Sequence, residues 1–269
     1  MHATIFALLA AVKVTNDIAY AVDVPGEKHR LDVYAPAGMR SAPVLLFIHG
    51  GSFVQGDRRD YNGLATSIAS TGIVVVVPSY RLYPRTDARG AAADVAAAVA
   101  WTSKHIASYG GNPHGIVLSG HSSGAYLAAL VGLDPEFLSA DGVSPEVVRG
   151  IAGFSGVYDM RDLAPGATAA DVEVLQRFFG ATPEARAVVS PITYAAKTAP
   201  PTALYCGGIY DAPACAQRDQ FFAALVDAGA TVQMDADASA THTGVVANLS
   251  RNGTPEQRAL LDFVQKYGH

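Results

Sequence analysis

A serine at position 122 lies in a pattern that is typical of a nucleophile. Residues Gly120–Gly124 read GHSSG and fit Gly-x-Ser-x-Gly, between an apolar run at Ile116–Ser119 and a small-residue segment at Ser123–Val131. The apolar run predicts a strand, and the small-residue segment predicts a helix. On a sharp turn from strand to helix a serine hydroxyl projects outward, and the flanking glycines relieve crowding. We therefore predict that Ser122 is a nucleophile for acyl transfer, in preference to a residue of a structural turn.

A second glycine-rich segment supplies candidates for binding negative charge. Residues 49–53 read HGGSF and follow directly after the continuous apolar run PVLLFI. Small residues at a strand end allow backbone N–H groups to approach a substrate oxygen and so to form an oxyanion hole. We expect the N–H groups of Gly51, Ser52 and Ser123 to be the donors. We expect His49 to shape this segment and not to act as a base.

An activated serine needs a base, and the base needs a carboxylate that orients it. Where the serine lies on a strand-to-helix turn of this kind, the chain order is serine, acid, histidine. Of the eight histidines, only His242 and His269 follow Ser122. His269 is the last residue and is expected to fray. We therefore predict that His242, in the segment SATHTG, is the base.

Two carboxylates are candidates for the group that orients the base. Asp211 follows the segment TALYCGG and precedes a predicted helix, and Asp159 ends the segment FSGVYD after another predicted strand. In a parallel sheet, sites form outside the carboxyl ends of the strands, so both aspartates are expected there. We favour Asp211 and keep Asp159 as the alternative. Asp235 and Asp237 lie close to His242 in sequence and are expected to face solvent.

The composition indicates a folded, apolar-rich chain. Of its 269 residues 50% are hydrophobic and 16% are charged, and the formal net charge is -5. Disorder requires low hydrophobicity and high charge, which excludes it for the chain as a whole. The slight acidic excess argues against a nucleic-acid partner, because neutralising phosphates requires a surplus of Lys and Arg.

The apolar runs are too short to predict a membrane span. The run Ala3–Val12 stops at Lys13, whereas a spanning helix needs about 20 apolar residues. No basic residue precedes this run, as one would in a signal peptide, so we expect an N-terminal helix packed on the protein body.

The two cysteines, Cys206 and Cys215, are too few for a disulfide framework or a zinc site. Their spacing allows one local disulfide or two free thiols, and we favour free thiols. No metal or cofactor is expected. The compartment is left open, with the cytoplasm preferred to a periplasmic or secreted location.

Segments that predict strands and helices alternate along the chain. Predicted strands cover 30–34, 43–49, 73–78, 116–119, 148–154, 202–206 and 231–234, and predicted helices cover 61–70, 94–105, 123–131, 221–227 and 255–267. This alternation predicts an α/β fold with a mostly parallel sheet covered by helices on both faces. We expect 1–269 to form a single domain, with 30–34 as an edge strand and 160–196 as a small cap-like insertion.

Several motifs occur in an order that resembles one known family. They are HGGSF, SYRLYP (79–84), GGNP (110–113), GHSSG, FSGVYD, the Tyr-Asp pair at 210–211 and His242. Over about residues 31–264 the chain is similar to the α/β-hydrolase esterases grouped with hormone-sensitive lipase, kynurenine formamidase and feruloyl/acetyl xylan esterases. The resemblance implies an α/β-hydrolase fold, and it implies Ser122 as nucleophile, Asp211 as acid, His242 as base and Gly51, Ser52 and Ser123 as oxyanion donors. Ser52 stands where the lipase-like branch usually has a third glycine, so the HGG-x-aromatic branch is the closer match.

The resemblance and the triad order together predict a serine carboxylic ester hydrolase that acts on short-chain or phenolic acyl esters through an acyl-serine. The alternative is an amide hydrolase of the arylformamidase kind, and a non-catalytic binding protein is disfavoured because no triad member is missing. From their proximity to the motifs, Phe53, Tyr158 and Tyr210 are expected to contact the substrate. Phe178 and Phe179 belong either to the pocket or to local core. The expected partner is a small-molecule ester, and pairing as a homodimer is left open.

Overall fold

The computed structural model describes residues 10–22, 28–162, 169–234 and 240–269, in which eight strands form one sheet. The strands are β1 (Val12–Ala19), β2 (Arg30–Pro36), β3 (Ala42–Ile48), β4 (Val74–Pro78), β5 (Gly111–His121), β6 (Val148–Phe154), β7 (Thr202–Tyr205) and β8 (Val232–Met234). Their order across the sheet is β1-β2-β4-β3-β5-β6-β7-β8. Strand β2 pairs antiparallel with β1 and β4, and all pairs from β4 to β8 are parallel. The predicted mostly parallel sheet is confirmed.

Helices cover both faces of this sheet. They are α1 (Asn62–Ala69), α2 (Ala88–His105), α3 (Ser123–Leu133), α4 (Pro135–Ala140), α5 (Ala169–Phe179), α6 (Pro183–Ala187), α7 (Ala212–Asp227), α8 (Gly244–Leu249) and α9 (Pro255–Tyr267). Successive side chains of a strand point to opposite faces. Accordingly Leu46 and Ile48 of β3 pack into a core cluster with α2 and α3, whereas Leu45 and Phe47 pack into a second cluster with α1 and α9. Burial on both faces explains why the central strands are continuous apolar runs.

The first two strands correct the predictions for the beginning of the chain. Strand β2 is not an edge strand, because β1 pairs with it on one side and β4 on the other, and Leu31 and Val33 are fully buried. Strand β1 reads VKVTNDIA, with a polar-rich pattern that gives a weak strand signal. It begins at Val12, where an N-terminal helix was expected to end. The rest of that expected helix, residues 3–9, lies outside the described residues.

The segment between β6 and β7 carries its own helices. Helices α5 and α6 and a 3-10 turn at Pro191–Tyr194 lie within the expected insertion, 160–196, of which residues 163–168 are outside the described part. Within the described residues no helix has the length and apolar character needed to cross a membrane. The same residues contain no group of three or more His, Cys, Asp or Glu arranged to hold a metal ion.

The expectation of two free thiols is wrong, because Cys206 and Cys215 form a disulfide. Cys206 follows the end of β7, and a short 3-10 turn at Gly208–Asp211 reverses the chain into α7. Cys215 therefore returns beside Cys206, with a distance of 5.3 Å between the two Cα atoms. Spacing alone allowed this bridge but did not select it, because the selection depends on the direction in which α7 leaves the sheet.

Replacing both cysteines with serine is expected to lower the free energy of unfolding by about 2–3 kcal/mol, since the disulfide restricts a loop of about ten residues in the unfolded chain. Urea unfolding of the double variant and of the oxidised wild type measures the difference. The wild type unfolded with a reducing agent is the matched control and should behave like the variant. Equal unfolding midpoints for the double variant and the oxidised wild type would contradict the prediction.

Candidate active site

Ser122 lies on a tight turn between β5 and α3, as the sequence predicts. Its backbone has φ 55° and ψ -120°, a conformation that few non-glycine residues adopt and that costs on the order of 1–3 kcal/mol. The N–H of Ser122 donates to the carbonyl oxygen of Phe154 in β6 at 2.9 Å. Its own carbonyl accepts from Tyr126 in α3 at 3.1 Å. Hydrogen bonds to two neighbouring elements thus hold the strained residue in place.

The two glycines of the motif allow the turn to press against β3. A Cβ atom on Gly124 would lie 2.1 Å from the carbonyl oxygen of Ile48, and one on Gly120 would lie 2.8 Å from the same oxygen. Both distances are far below van der Waals contact, so any side chain would push α3 away from β3. The glycine requirement therefore comes from close packing between backbones.

The predicted acid and base are joined by a hydrogen bond. Nδ1 of His242 lies 2.8 Å from Oδ1 of Asp211, and Oδ2 of Asp211 accepts from the N–H of Gly207 at 3.2 Å. The carboxylate is only 5% exposed, whereas 42% of the imidazole surface is exposed. Since a carboxylate only accepts, Nδ1 carries the proton, and Nε2 of the neutral ring is free to accept one.

The HGGSF segment forms a tight turn beside Ser122. Gly51 has φ 126°, and a Cβ atom there would lie 2.0 Å from the carbonyl oxygen of Gln55. Among the residues that the structure describes, the N–H groups of Gly51, Ser52 and Ser123 donate to no protein acceptor. Ser123 is the first residue of α3, where the helix dipole favours negative charge. These N–H groups are available for an oxyanion.

The side chain of His49 stabilises this turn through a hydrogen bond and a ring contact. It is fully buried, its ring stacks on Tyr80 with centroids 4.3 Å apart, and its Nδ1 donates to the carbonyl of Gly50 at 2.8 Å. Burial lowers the pKa of His49 to about 4, so the ring is uncharged at neutral pH. The N–H of Gly50 in turn donates to the hydroxyl of Tyr61 at 3.0 Å. The turn is thus anchored from both sides.

Ser122 and His242 face the same cavity, which has a volume of about 500 Å³. Its walls come from the HGGSF turn, the segment after it, the serine turn and the His242 segment. The lining residues are Gly50, Gly51, Ser52, Gln55, Gly56, Asp60, Tyr61, His121, Ser122, His242, Thr243 and Val246. A larger hollow of about 880 Å³, near Arg149 and Lys266, contains none of the predicted catalytic groups.

Two of the expected substrate contacts are packing residues in this structure. Phe53 is 7% exposed and packs in an aromatic cluster with Tyr126, Phe178 and Phe179, so the Phe pair of the insertion is core. Tyr158 is 1% exposed and stacks on Phe221. Neither Phe53 nor Tyr158 lines the cavity at Ser122. The side chain of Tyr210 lies outside what the structure describes.

Asp159, the alternative acid, pairs with an arginine and not with His242. Asp159 accepts from the side chain of Arg161, with Nε 2.9 Å from Oδ1, and this guanidinium lowers the pKa of the carboxyl. Asp159 has no hydrogen bond to His242 among the described residues. The aspartates at positions 235 and 237 lie outside the described part of the chain. Asp211 is therefore the carboxylate that the fold brings to the histidine.

Several residues of the cavity could not be predicted from the sequence. Asp60 and Tyr61 belong to a 3-10 turn after the HGGSF segment, and Thr243 follows the histidine. No local pattern marks them, because their position depends on how the turn at Arg58–Tyr61 folds back over the site. His121 was within the serine motif but carried no expected role.

Taken together, the site can transfer an acyl group. A serine hydroxyl, an imidazole oriented by a buried carboxylate and a set of unbonded N–H groups face one cavity, which are the components of nucleophilic acyl transfer. The carboxylate would keep the imidazole in the tautomer that accepts the serine proton. The N–H groups would stabilise the oxyanion of a tetrahedral intermediate.

Known esterases are similar to this chain. Esterase LipQ of Mycobacterium tuberculosis is 32% identical over 266 residues, covering 93% of this chain and 62% of LipQ. Isoprenylcysteine alpha-carbonyl methylesterase ICME of Arabidopsis thaliana is 27% identical over 247 residues, covering 86% of this chain and 57% of ICME. The chain thus spans about three-fifths of the length of these curated relatives.

Solved structures of esterases share the fold. A truncated form of a carbohydrate esterase from gut microbiota superposes with a TM-score of 0.81 at 18% identity, covering 97% of each chain. Esterase B from Lactobacillus rhamnosis superposes with a TM-score of 0.79 at 24% identity, covering 95% of this chain and 88% of that one. The predicted α/β-hydrolase fold is confirmed. Residues 31–224, which include the serine turn and Asp211, match the model of the BD-FAE family, and the chain belongs to this family of α/β-hydrolase esterases.

Proposed function

We propose that the protein is a serine carboxylic ester hydrolase whose triad is Ser122, His242 and Asp211. The observation that carries the proposal is the 2.8 Å hydrogen bond from Nδ1 of His242 to the buried Asp211, on a histidine that shares a cavity with Ser122. Membership of an esterase family and the similarity to LipQ support it. The single sheet supports our treating 1–269 as one catalytic domain.

In the proposed mechanism, Nε2 of His242 accepts the proton of Ser122 as the hydroxyl attacks the ester carbonyl. The oxyanion binds the N–H groups of Gly51, Ser52 and Ser123, and one such donor is worth about 3–4 kcal/mol of barrier. Collapse of this intermediate breaks the C–O bond, and the imidazolium protonates the leaving alcohol. Water then attacks the acyl-serine, with His242 taking its proton and returning it to Ser122. The carboxylate of Asp211 stays ionised throughout.

The size and charge of the cavity favour small esters without a negative charge as substrates. Its volume of about 500 Å³ suits a short acyl group and a modest alcohol, and its walls contain hydroxyl, amide and imidazole groups and no phenylalanine. Asp60 places a carboxylate in the wall, which repels an anionic substrate. Because Phe53 and Tyr158 are buried, we propose short-chain acyl esters in preference to phenolic ones.

Replacing Ser122 with alanine is expected to lower kcat for p-nitrophenyl acetate by about 10⁵- to 10⁶-fold, as loss of the nucleophile does in other serine hydrolases. The exposed Ser108→Ala is the matched control and should keep wild-type activity. A panel of p-nitrophenyl esters beside N-formylkynurenine tests the substrate class. Near-native ester turnover by Ser122→Ala would overturn the mechanism, and turnover of the amide alone would overturn the esterase proposal.

Replacing Asp211 with asparagine is expected to lower kcat by about 10⁴-fold, because the amide no longer holds the imidazole in the accepting tautomer. Asp159→Asn is the matched control, since Asp159 was the rival acid and pairs with Arg161. Steady-state kinetics on p-nitrophenyl acetate compares the two. A larger loss in Asp159→Asn than in Asp211→Asn would show that Asp159, and not Asp211, is the acid.

Replacing Asp60 with asparagine is expected to raise kcat/KM for an anionic ester, such as a hemisuccinate, by about fivefold relative to a neutral ester of equal size. The reason is the loss of about 1 kcal/mol of charge repulsion in a partly solvated wall. Asparagine keeps an oxygen that can accept from the N–H of Asp57, as Asp60 does now at 2.9 Å. The exposed Asp227→Asn is the control. An unchanged ratio between the two esters would contradict the charge argument, and added salt should shrink the effect.

A further inference from the structure

His121 occupies the position directly before the nucleophile, and its ring lies against the segment that carries the base. Its Nε2 lies 2.8 Å from the main-chain oxygen of His242, and the two imidazole rings have centroids 4.7 Å apart. The residue is 5% exposed. The nucleophile turn and the base segment, 121 residues apart in sequence, are thus joined by one side chain.

The direction of this hydrogen bond follows from its acceptor. A carbonyl oxygen only accepts, so Nε2 of His121 carries a proton and donates it. Burial, together with the nearby charge of His242, lowers the pKa of His121 to about 4, although the hydrogen bond to the main chain of His242 and the carboxylate of Asp211 oppose the shift. The ring is therefore uncharged at neutral pH. It does not compete with His242 for the serine proton and adds no positive charge beside it.

The other edge of the ring faces the oxyanion turn. A Cβ atom on Gly50 would lie 3.1 Å from Nδ1 of His121 and 2.9 Å from its carbonyl oxygen. The bare backbone of Gly50 therefore lies directly against His121. One imidazole contacts the base segment on one edge and the oxyanion turn on the other, next to Ser122.

Among the described residues the segment around His242 has few other attachments, apart from Thr241, whose carbonyl and hydroxyl oxygens accept from the N–H groups of Val245 at 3.2 Å and Gly244 at 3.1 Å. On its near side the N–H of Ala240 donates to the carbonyl of Gly207 at 3.1 Å, and on its far side α8 begins at Gly244. Between these points the side chain of His242 is bonded to Asp211 and its main chain to His121. One bond fixes the ring and the other fixes the backbone from which the ring extends.

We propose that His121 is a positioning residue for the reaction, which holds the main chain of His242 so that Nε2 of the base is directed at Ser122. The proposal rests on the proposed function, because the position of His242 matters only if it is the base. A displacement of about 1 Å of a catalytic group can reduce a rate by about a hundredfold. We expect the effect in kcat, because the Nε2 of His121 is used on the main chain of His242 and acts through the position of the base.

The test compares three variants that differ in hydrogen bonding and length. His121→Leu removes the donor at similar volume and should lower kcat for p-nitrophenyl acetate by about 10- to 100-fold with KM changed less than about threefold. His121→Gln places an amide N–H close to the position of Nε2 and should recover kcat to within about fivefold of the wild type. His121→Asn is too short to reach the carbonyl of His242 and should resemble the leucine variant.

A second readout follows Ser122 without turnover. The rate at which a p-nitrophenyl phosphonate labels Ser122 depends on the same base, so it should fall in the leucine and asparagine variants and recover in the glutamine variant. Equal kcat values for the glutamine and asparagine variants would overturn the proposal, as would a loss confined to KM. If the leucine variant fails to fold by circular dichroism, the glutamine–asparagine pair decides the question.

These experiments distinguish failure of the positioning role of His121 from failure of the proposed function. If Ser122→Ala keeps activity, the assignment of the triad is wrong, and the positioning role of His121 is wrong as well. If Ser122→Ala is inactive while His121→Leu has wild-type kcat, only the positioning role is wrong.

Discussion

The carbonyl oxygen of Ile48 lies only 2.1 Å from where a Cβ atom on Gly124 would be. Helix α3 can therefore approach the end of β3 only as bare backbone, and this close approach arranges the rest of the site. It brings the N–H of Ser123 to the same side as those of Gly51 and Ser52, which follow β3 directly. The proposed oxyanion donors come from two segments about 70 residues apart in sequence, and this backbone contact is what brings them together.

The contact also requires strain, which the core must offset. Ser122 has a positive φ, as do Ser52 and Phe53 in the neighbouring turn, although none of them is a glycine. Each such residue costs on the order of 1–3 kcal/mol unless the surroundings determine its conformation. The surroundings here are strands β3, β5 and β6, whose residues are nearly all buried and close-packed. A deep sheet core therefore supports an active site at its edge.

A feature of this structure could be predicted from the sequence where a few neighbouring residues determine it. The serine turn, the HGGSF turn and most strands were predictable, because glycine positions and apolar runs act over a few residues. Asp211 was favoured over Asp159 because it lies between a predicted strand and a predicted helix and because the family resemblance implies it; in the structure it is Asp211 that bonds to His242. Phe53 and Tyr158 were misplaced because proximity in sequence to a motif does not determine which way a side chain packs. The Cys206–Cys215 disulfide and the polar cavity residues likewise depend on how turns return to the sheet.

Solvent exposure separates the histidines near the strand ends by what they can do. His49 and His121 both lie beside the serine turn, yet burial lowers the pKa of each to about 4, so neither ring is positively charged at neutral pH. Each also uses a ring nitrogen to donate to a backbone carbonyl. His242 alone of the three has a half-exposed ring and a carboxylate partner, which stabilises an imidazolium once it forms. A base must gain and lose a proton in every cycle. The buried rings of His49 and His121 are therefore suited to structural roles, and the solvated ring of His242, paired with a carboxylate, is suited to be the proposed base.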